Sequence, residues 1–160
     1  MDQGTLAPSL ERLSAELVLY TGRLTRALSR STASDVPTAT LRLLSQLDEL
    51  APATIGALAA ADYTSQPTMS AGVQNLVEKG WATKSPNPAD ARSSLVRLTD
   101  AGRTELTTAR HARAVDVSRR LRNDPVHDEQ DLEAAVAVLR GLLEHTPDRI
   151  TPARDDEGTA

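Results

Sequence analysis

Apolar residues recur along most of the chain in steps of three and four, punctuated by proline, glycine and short polar clusters. Over residues 9–31 the stripe is Leu10, Leu13, Leu17, Tyr20, Leu24 and Leu28, the spacing of one helix face. Ser9 stands where a hydroxyl would cap the first turn. A break at Ser34, Asp35 and Pro37 follows. Leu41, Leu44, Leu47 and Leu50 then predict a second helix, stopped by Pro52 because proline cannot donate to the helical ladder. Thr54 is placed to cap a short helix that turns Ile55, Leu58 and Ala59 inward. Ser65-Gln66-Pro67 opens another, with a hydroxyl cap and then proline in the first turn, where its missing N–H is no loss. Met69, Val73, Leu76 and Val77 give that helix a buried stripe, and Gly80 sits where a left-handed residue ends it.

The period then changes. Residues 81–84 and 94–98 read as strands around the turn-forming stretch Ser85-Pro86-Asn87-Pro88-Ala89-Asp90, which makes a β-hairpin with an extended tip. Thr99-Asp100-Ala101-Gly102 opens a helix running to about Arg122, with a thin apolar face of Leu106, Ala109, Val117 and Leu121. Asn123-Asp124-Pro125 ends it. A last helix over residues 128–145 carries Leu132, Val136, Leu139 and Leu143, with acids in its first turn, where the helix dipole favours them. Residues 146–160, with two prolines and three consecutive acids, read as a flexible tail. The expectation is a single domain spanning 1–160, mainly α with a small β-hairpin wing. A winged helix-turn-helix lobe occupies 37–103 and a connecting helix 103–122. The helices over 9–31 and 128–145 are left for dimerisation.

Composition narrows the functional class. A length of 160 residues with 39% hydrophobic and 25% charged residues suits a globular domain with its own core. The absence of cysteine removes disulfide scaffolds, thiolate metal sites and thiol redox sensing. No apolar run suits a membrane span, and Met1-Asp2-Gln3 is not the basic start of a secretory leader, so the cytoplasm is the expected compartment. With no Phe, two Tyr and one Trp, recognition of single strands by aromatic stacking is disfavoured. His111, His127 and His145 lack any short ligand spacing. No phosphate loop, nucleophile elbow, zinc-protease or dinucleotide pattern occurs. Neither an enzyme nor a metal or other cofactor is expected.

The net charge of −4 is unevenly spread. Residues 124–160 carry −7 and the rest of the chain +3, with six Arg against two acids between Arg103 and Arg122. That asymmetry permits phosphate binding. The order of elements gives it a geometry: a short helix, a tight connection at Tyr63-Thr64, a second helix and a hairpin behind it form a helix-turn-helix with a wing. In such an arrangement the second helix fits the major groove and a basic hairpin tip reaches the minor groove.

At these residues the sequence resembles the MarR family of winged-helix transcriptional regulators. The resemblance is carried by Ile55-Gly56-Ala57-Leu58-Ala59, Ser65-Gln66-Pro67-Thr68-Met69-Ser70, Leu76-Val77-Glu78-Lys79-Gly80-Trp81, Asp90-Ala91-Arg92-Ser93 and Leu98-Thr99-Asp100-Ala101-Gly102-Arg103. It covers residues 10–145. It implies a homodimer whose first and last helices interleave, binding to double-stranded DNA, and release by a small aromatic or acidic effector held in a groove. The stripes at Leu10, Leu13, Leu17 and at Leu132, Val136, Leu139, Leu143 point to dimerisation independently, since one small lobe cannot cover both. Tyr20 and Arg23 are the candidates for the effector groove.

Expected DNA contacts on the recognition helix are Ser65, Gln66, Thr68, Ser70, Ala71, Gln74 and Asn75. Gln and Asn can read adenine, while Thr or Ala can meet a thymine methyl. Family members often carry arginine at the positions of Ala71 and Asn75, and here that helix face is uncharged. Phosphate attraction therefore falls to Lys79, Lys84, Arg92 and Arg97, with Ser93 beside them. Asp90 is expected to support Arg92 through a salt bridge, Trp81 to anchor helix against wing, and Met69 to fill the core. The bland recognition helix leaves an alternative: a winged-helix protein-interaction module without DNA binding.

Overall fold

The computed structural model describes residues 8–31 and 36–144. Residues 146–160 and His145, read above as tail and helix end, lie outside the described residues. Two compact units, Met1–Ser118 and Arg119–Ala160, divide the chain. In the first lie α1 (Pro8–Ser31), α2 (Thr38–Leu50), β1 (Ala53–Thr54), α3 (Ile55–Ala61), α4 (Gln66–Glu78), β2 (Ala82–Pro86) and β3 (Ser94–Leu98). Helix α5 (Asp100–Arg122) runs across the division, and α6 (Glu129–Glu144) belongs to the second unit.

Capping explains the short helices. The Thr54 hydroxyl accepts from the Ala57 N–H at 3.1 Å to start α3, and the Ser65 hydroxyl accepts from the Thr68 N–H at 3.3 Å to start α4. Each satisfies a donor that the first turn cannot pair internally. Helix α4 ends at Gly80, φ +72°, where the Trp81 N–H donates to the Leu76 carbonyl at 2.8 Å and the Gly80 N–H to Val77 at 2.9 Å. Helix α1 begins at Pro8, so Ser9 lies within the helix and is not its cap.

The core is the lobe built by α2, α3, α4, the sheet and the start of α5. Leu44, Leu47, Leu58, Val73, Leu76, Val96 and Leu106 are wholly enclosed, and Met69 is buried with them as core. Ile55, Val77 and Trp81 pack against this cluster at its edge. The hairpin has company that periodicity did not foresee. Strand β1 pairs antiparallel with β3 (Ala53 opposite Val96, Thr54 opposite Leu95), so the order is β1-β3-β2 and β3 is central. Two residues are too few to show a period. Strand β2 also runs on to Pro86, into the stretch read as turn, because Ser85 and Pro86 still align with Leu95 and Ser94.

The Leu98–Arg103 segment locks the wing to α5. The Thr99 N–H donates to the Trp81 carbonyl at 3.1 Å, and its hydroxyl donates to the Gly80 carbonyl at 2.7 Å. The same hydroxyl accepts from the Gly102 N–H at 3.0 Å, which starts α5. Gly102 is buried against the Trp81 backbone, where a β-carbon would strike the carbonyl. In the second unit Asp128 caps α6, accepting from Gln130 and Asp131 N–H groups at 2.9 and 3.2 Å. Asp124 accepts from the Val126 and His127 N–H groups at 2.8 and 3.2 Å, and these bonds hold its carboxyl below the usual carboxylate range.

Candidate nucleic-acid interface

Between the N-terminal half of α4 and the β2–β3 wing lies a cleft of about 750 Å³. Gln66 and Ser70 line it from the helix, and Lys84, Arg92 and Ser93 from the wing. Residues of a helix and of a hairpin thus share one concave surface, with two cations on it. Asp90 lines it too, as do Thr54, Gly56 and Asn87, which sequence reasoning had not singled out for this site. Only Asn87 carried a usable sign, since a turn asparagine commonly bonds backbone nearby.

The wing tip is a built turn. The Asn87 N–H donates to the Ser93 carbonyl at 3.2 Å, and the Asn87 amide donates to the Ser93 hydroxyl at 2.8 Å. The expected Asp90–Arg92 salt bridge is absent. Instead the Asp90 carboxylate accepts from the Arg92 backbone N–H at 3.0 Å, two residues on. A short carboxylate reaches that N–H within the turn more readily than a guanidinium on a long flexible stem. Asp90 thus shapes the turn, and the exposed Arg92 guanidinium is in no ion pair among the described residues.

The other expected contacts divide. Ala71, Gln74 and Asn75 are exposed on α4, but the Gln74 amide is engaged at both ends: it donates to Glu78 at 3.1 Å and accepts from the Lys84 ammonium at 3.4 Å. Thr68 and Asn75 line a second, 200 Å³ cavity between α2 and α4, away from the wing cleft. The Ser65 hydroxyl is committed to its cap and to a 2.8 Å bond with the Thr68 hydroxyl. Lys79, the C-cap of α4, sits 4.6 Å from the Trp81 ring centroid, so part of its charge is held by the aromatic face. Arg97 is exposed on β3 beside the buried Val96 and Leu98.

A further support was invisible in the sequence. Arg42 on α2 grips Asp62 at the end of α3 with two bonds, Nε to Oδ1 at 2.8 Å and Nη2 to Oδ2 at 3.0 Å. The Gln46 amide adds a third at 3.3 Å. The fork fixes the start of the helix-turn-helix turn against α2. The Arg23 guanidinium stands 5.8 Å from the Tyr20 ring centroid, and neither residue lines the cavities described above.

Residues 34–93 match the model of the MarR family. An uncharacterized HTH-type transcriptional regulator of Mycobacterium bovis is 29% identical over 137 residues, spanning 85% of this chain and 96% of the relative. An HTH-type transcriptional regulator of Mycobacterium tuberculosis aligns with the same identity and coverage. Among solved structures, a mutant MarR from Escherichia coli superposes with a TM-score of 0.69 at 22% identity, covering 88% of this chain and 99% of that one. A structure described as the multiple antibiotic resistance repressor MarR gives 0.62 at 26% identity, covering 87% and 94%. The family match thus spans the helix-turn-helix and most of the wing, 60 of the chain's 160 residues. The relatives it aligns with are named as HTH-type transcriptional regulators, and the winged helix-turn-helix is the fold it shares with the MarR structures. Its fold is also that of the Escherichia coli MarR mutant complexed with operator DNA, at a TM-score of 0.59 and 20% identity over 84% of this chain and 96% of that one. Among the described residues, no helix is long and apolar enough to cross a membrane, and no three metal-ligating side chains cluster.

Proposed function

We propose that this chain is a MarR-family regulator: a sequence-specific, double-stranded DNA-binding repressor that acts in the cytoplasm as a homodimer on a pseudo-palindromic operator. The observation that carries the reading is the cleft shared by Gln66 and Ser70 of α4 with Lys84 and Arg92 of the wing, the Arg92 guanidinium being in no ion pair among the described residues. A helix end that meets base edges beside a cationic hairpin that meets the flanking minor groove is the chemistry such a cleft supports. Binding of the protein to a duplex spanning its own promoter should weaken steeply as salt rises, because each neutralised phosphate releases counterions. Binding that ignores salt, or no binding, would turn the reading toward a protein-interaction module, which the uncharged face of Ala71, Gln74 and Asn75 also suits.

Dimerisation is proposed from the apolar faces that the single chain leaves open. Leu10 and Leu13 of α1 are about half exposed at 49% and 54%, and Leu17 is half-buried. On α6, Leu132, Val136, Leu139 and Leu143 are all exposed. Contiguous apolar stripes of this kind call for a cover, and a second copy supplies one with matching geometry. Light scattering at micromolar concentration should give about twice the 17.1 kDa chain mass, and a monomer would remove both the dimer and the palindrome. Release by a small aromatic or acidic effector completes the reading. Tyr20 and Arg23 are its proposed receptors, since an exposed ring beside a guanidinium offers stacking and charge to an aromatic carboxylate.

A further inference from the structure

Two helices of the lobe end in the same backbone motif, and the residue at the left-handed position differs between them. At the end of α4 that residue is Gly80, φ +72°. At the end of α3 it is Tyr63, φ +50°. There the Thr64 N–H donates to the Ala59 carbonyl at 3.0 Å and the Tyr63 N–H to Ala60 at 3.4 Å, the same pair of closures that Trp81 and Gly80 make. Glycine suits such a position because it has no β-carbon to crowd the following carbonyl, and a bulky L-residue there is strained.

The strain gives nothing back within the chain. The Tyr63 side chain is 92% exposed and, among the described residues, takes part in no hydrogen bond or ring contact. Its neighbours are firmly held: Asp62 is gripped by Arg42 and Gln46, and Ser65 is committed to capping α4. The turn is therefore rigid and projects an unsupported phenol into solvent. Only Thr64 separates Tyr63 from Ser65, a span of at most about 7 Å of backbone, so the phenol belongs to the same edge of the molecule as the α4 N-terminus. In helix-turn-helix docking the second helix enters the groove while the preceding helix and turn cross the sugar–phosphate backbone, and tyrosine hydroxyls are among the groups that bond phosphate oxygens.

We infer that Tyr63 is a DNA-backbone contact, its phenol hydroxyl donating to a phosphate oxygen on the strand that the helix-turn-helix turn crosses. The inference rests on the DNA-binding reading above. A hydroxyl donor brings no cation to the phosphate, so the contact releases no counterion, and it touches no base. Its loss should weaken binding to every sequence equally and leave the salt dependence unchanged, unlike the loss of a wing cation.

The test uses the full chain and a duplex selected from a random pool by the wild-type protein, titrated by fluorescence anisotropy at several salt concentrations. Tyr63→Phe, which keeps the ring and removes only the hydroxyl, should bind about 5–10-fold more weakly with an unaltered salt slope. Tyr63→Gly relieves the left-handed strain, and its thermal midpoint should rise by roughly 2–4 °C while its affinity falls at least as far as that of Tyr63→Phe. Stability up and affinity down is a combination that a merely structural role would not produce. Wild-type binding matched by Tyr63→Phe would overturn this inference alone, as would a Tyr63→Gly protein losing stability and affinity together. Failure of the wild-type protein to select any duplex would overturn the reading beneath it, and this inference with it.

Discussion

Gly102→Ala should cost the lobe about 3 kcal/mol or more and lower its thermal midpoint by roughly 6–12 °C. The added β-carbon would overlap the Trp81 carbonyl oxygen and crowd the Trp81 carbonyl carbon and α-carbon. All three are backbone atoms, so no side chain can swing aside. Nor can the junction shift cheaply, because Thr99 ties it through the Trp81 and Gly80 carbonyls and through the Gly102 N–H itself. Against a total stability of about 5–15 kcal/mol, a loss of that size is severe. Gly80→Ala is the comparison. No atom lies near its missing β-carbon, so only the left-handed backbone resists, and the expected cost is about 1–2 kcal/mol. Urea titration of both variants separates overlap from conformational strain. A Gly102→Ala protein as stable as Gly80→Ala would show that α5 packs on the wing differently.

Arg92→Ala should weaken DNA binding by about tenfold per wing for all sequences, lose more on A·T-rich flanks, and reduce the salt slope by about 1 per protomer. The physical ground is the built wing tip. Asn87, Asp90 and Ser93 hold the turn by backbone and side-chain bonds that exclude the Arg92 guanidinium, so the charge is presented at no reorganisation cost. Asn75→Ala should behave differently. It is expected to cost roughly 1–3 kcal/mol at one matched base pair and relax preference there, with the salt slope unchanged. Gln74 separates from Asn75, since its amide bridges Glu78 and Lys84. Gln74→Ala should free the Lys84 ammonium as well as remove a reader. In a dimer, paired half-sites about one helical turn (~10 bp) apart are the expected target, and competition titrations with point-substituted duplexes measure every one of these effects. An Arg92→Ala protein with wild-type affinity and slope would mean that the hairpin is not a DNA wing.

What depends on neighbours within a few positions was legible in the chain before any fold was known. Leucines at three- and four-residue spacing, the hydroxyls of Thr54 and Ser65, and the glycine at 80 specify their helices and ends, because capping and periodicity act over one turn of chain. The sequence also brought Gln66, Ser70, Lys84, Arg92 and Ser93 forward as candidates, since groove chemistry restricts which residue types serve, and these five line one cleft. What it could not specify were pairings between distant positions. Strand β1 exists only because β3 offers it an edge, and Arg42 meets Asp62 across twenty residues. Asp90 turned from partner of a guanidinium to cap of a turn by a matter of reach. Gln74 and Lys84 meet only when wing and helix are folded side by side. Tyr63 looked like any loop tyrosine until its left-handed backbone and bare side chain set it apart from Gly80. Local rules fix the backbone hydrogen bonds of an element. Which side chains then face one another, and which are left facing solvent, is settled by how the elements close around the core.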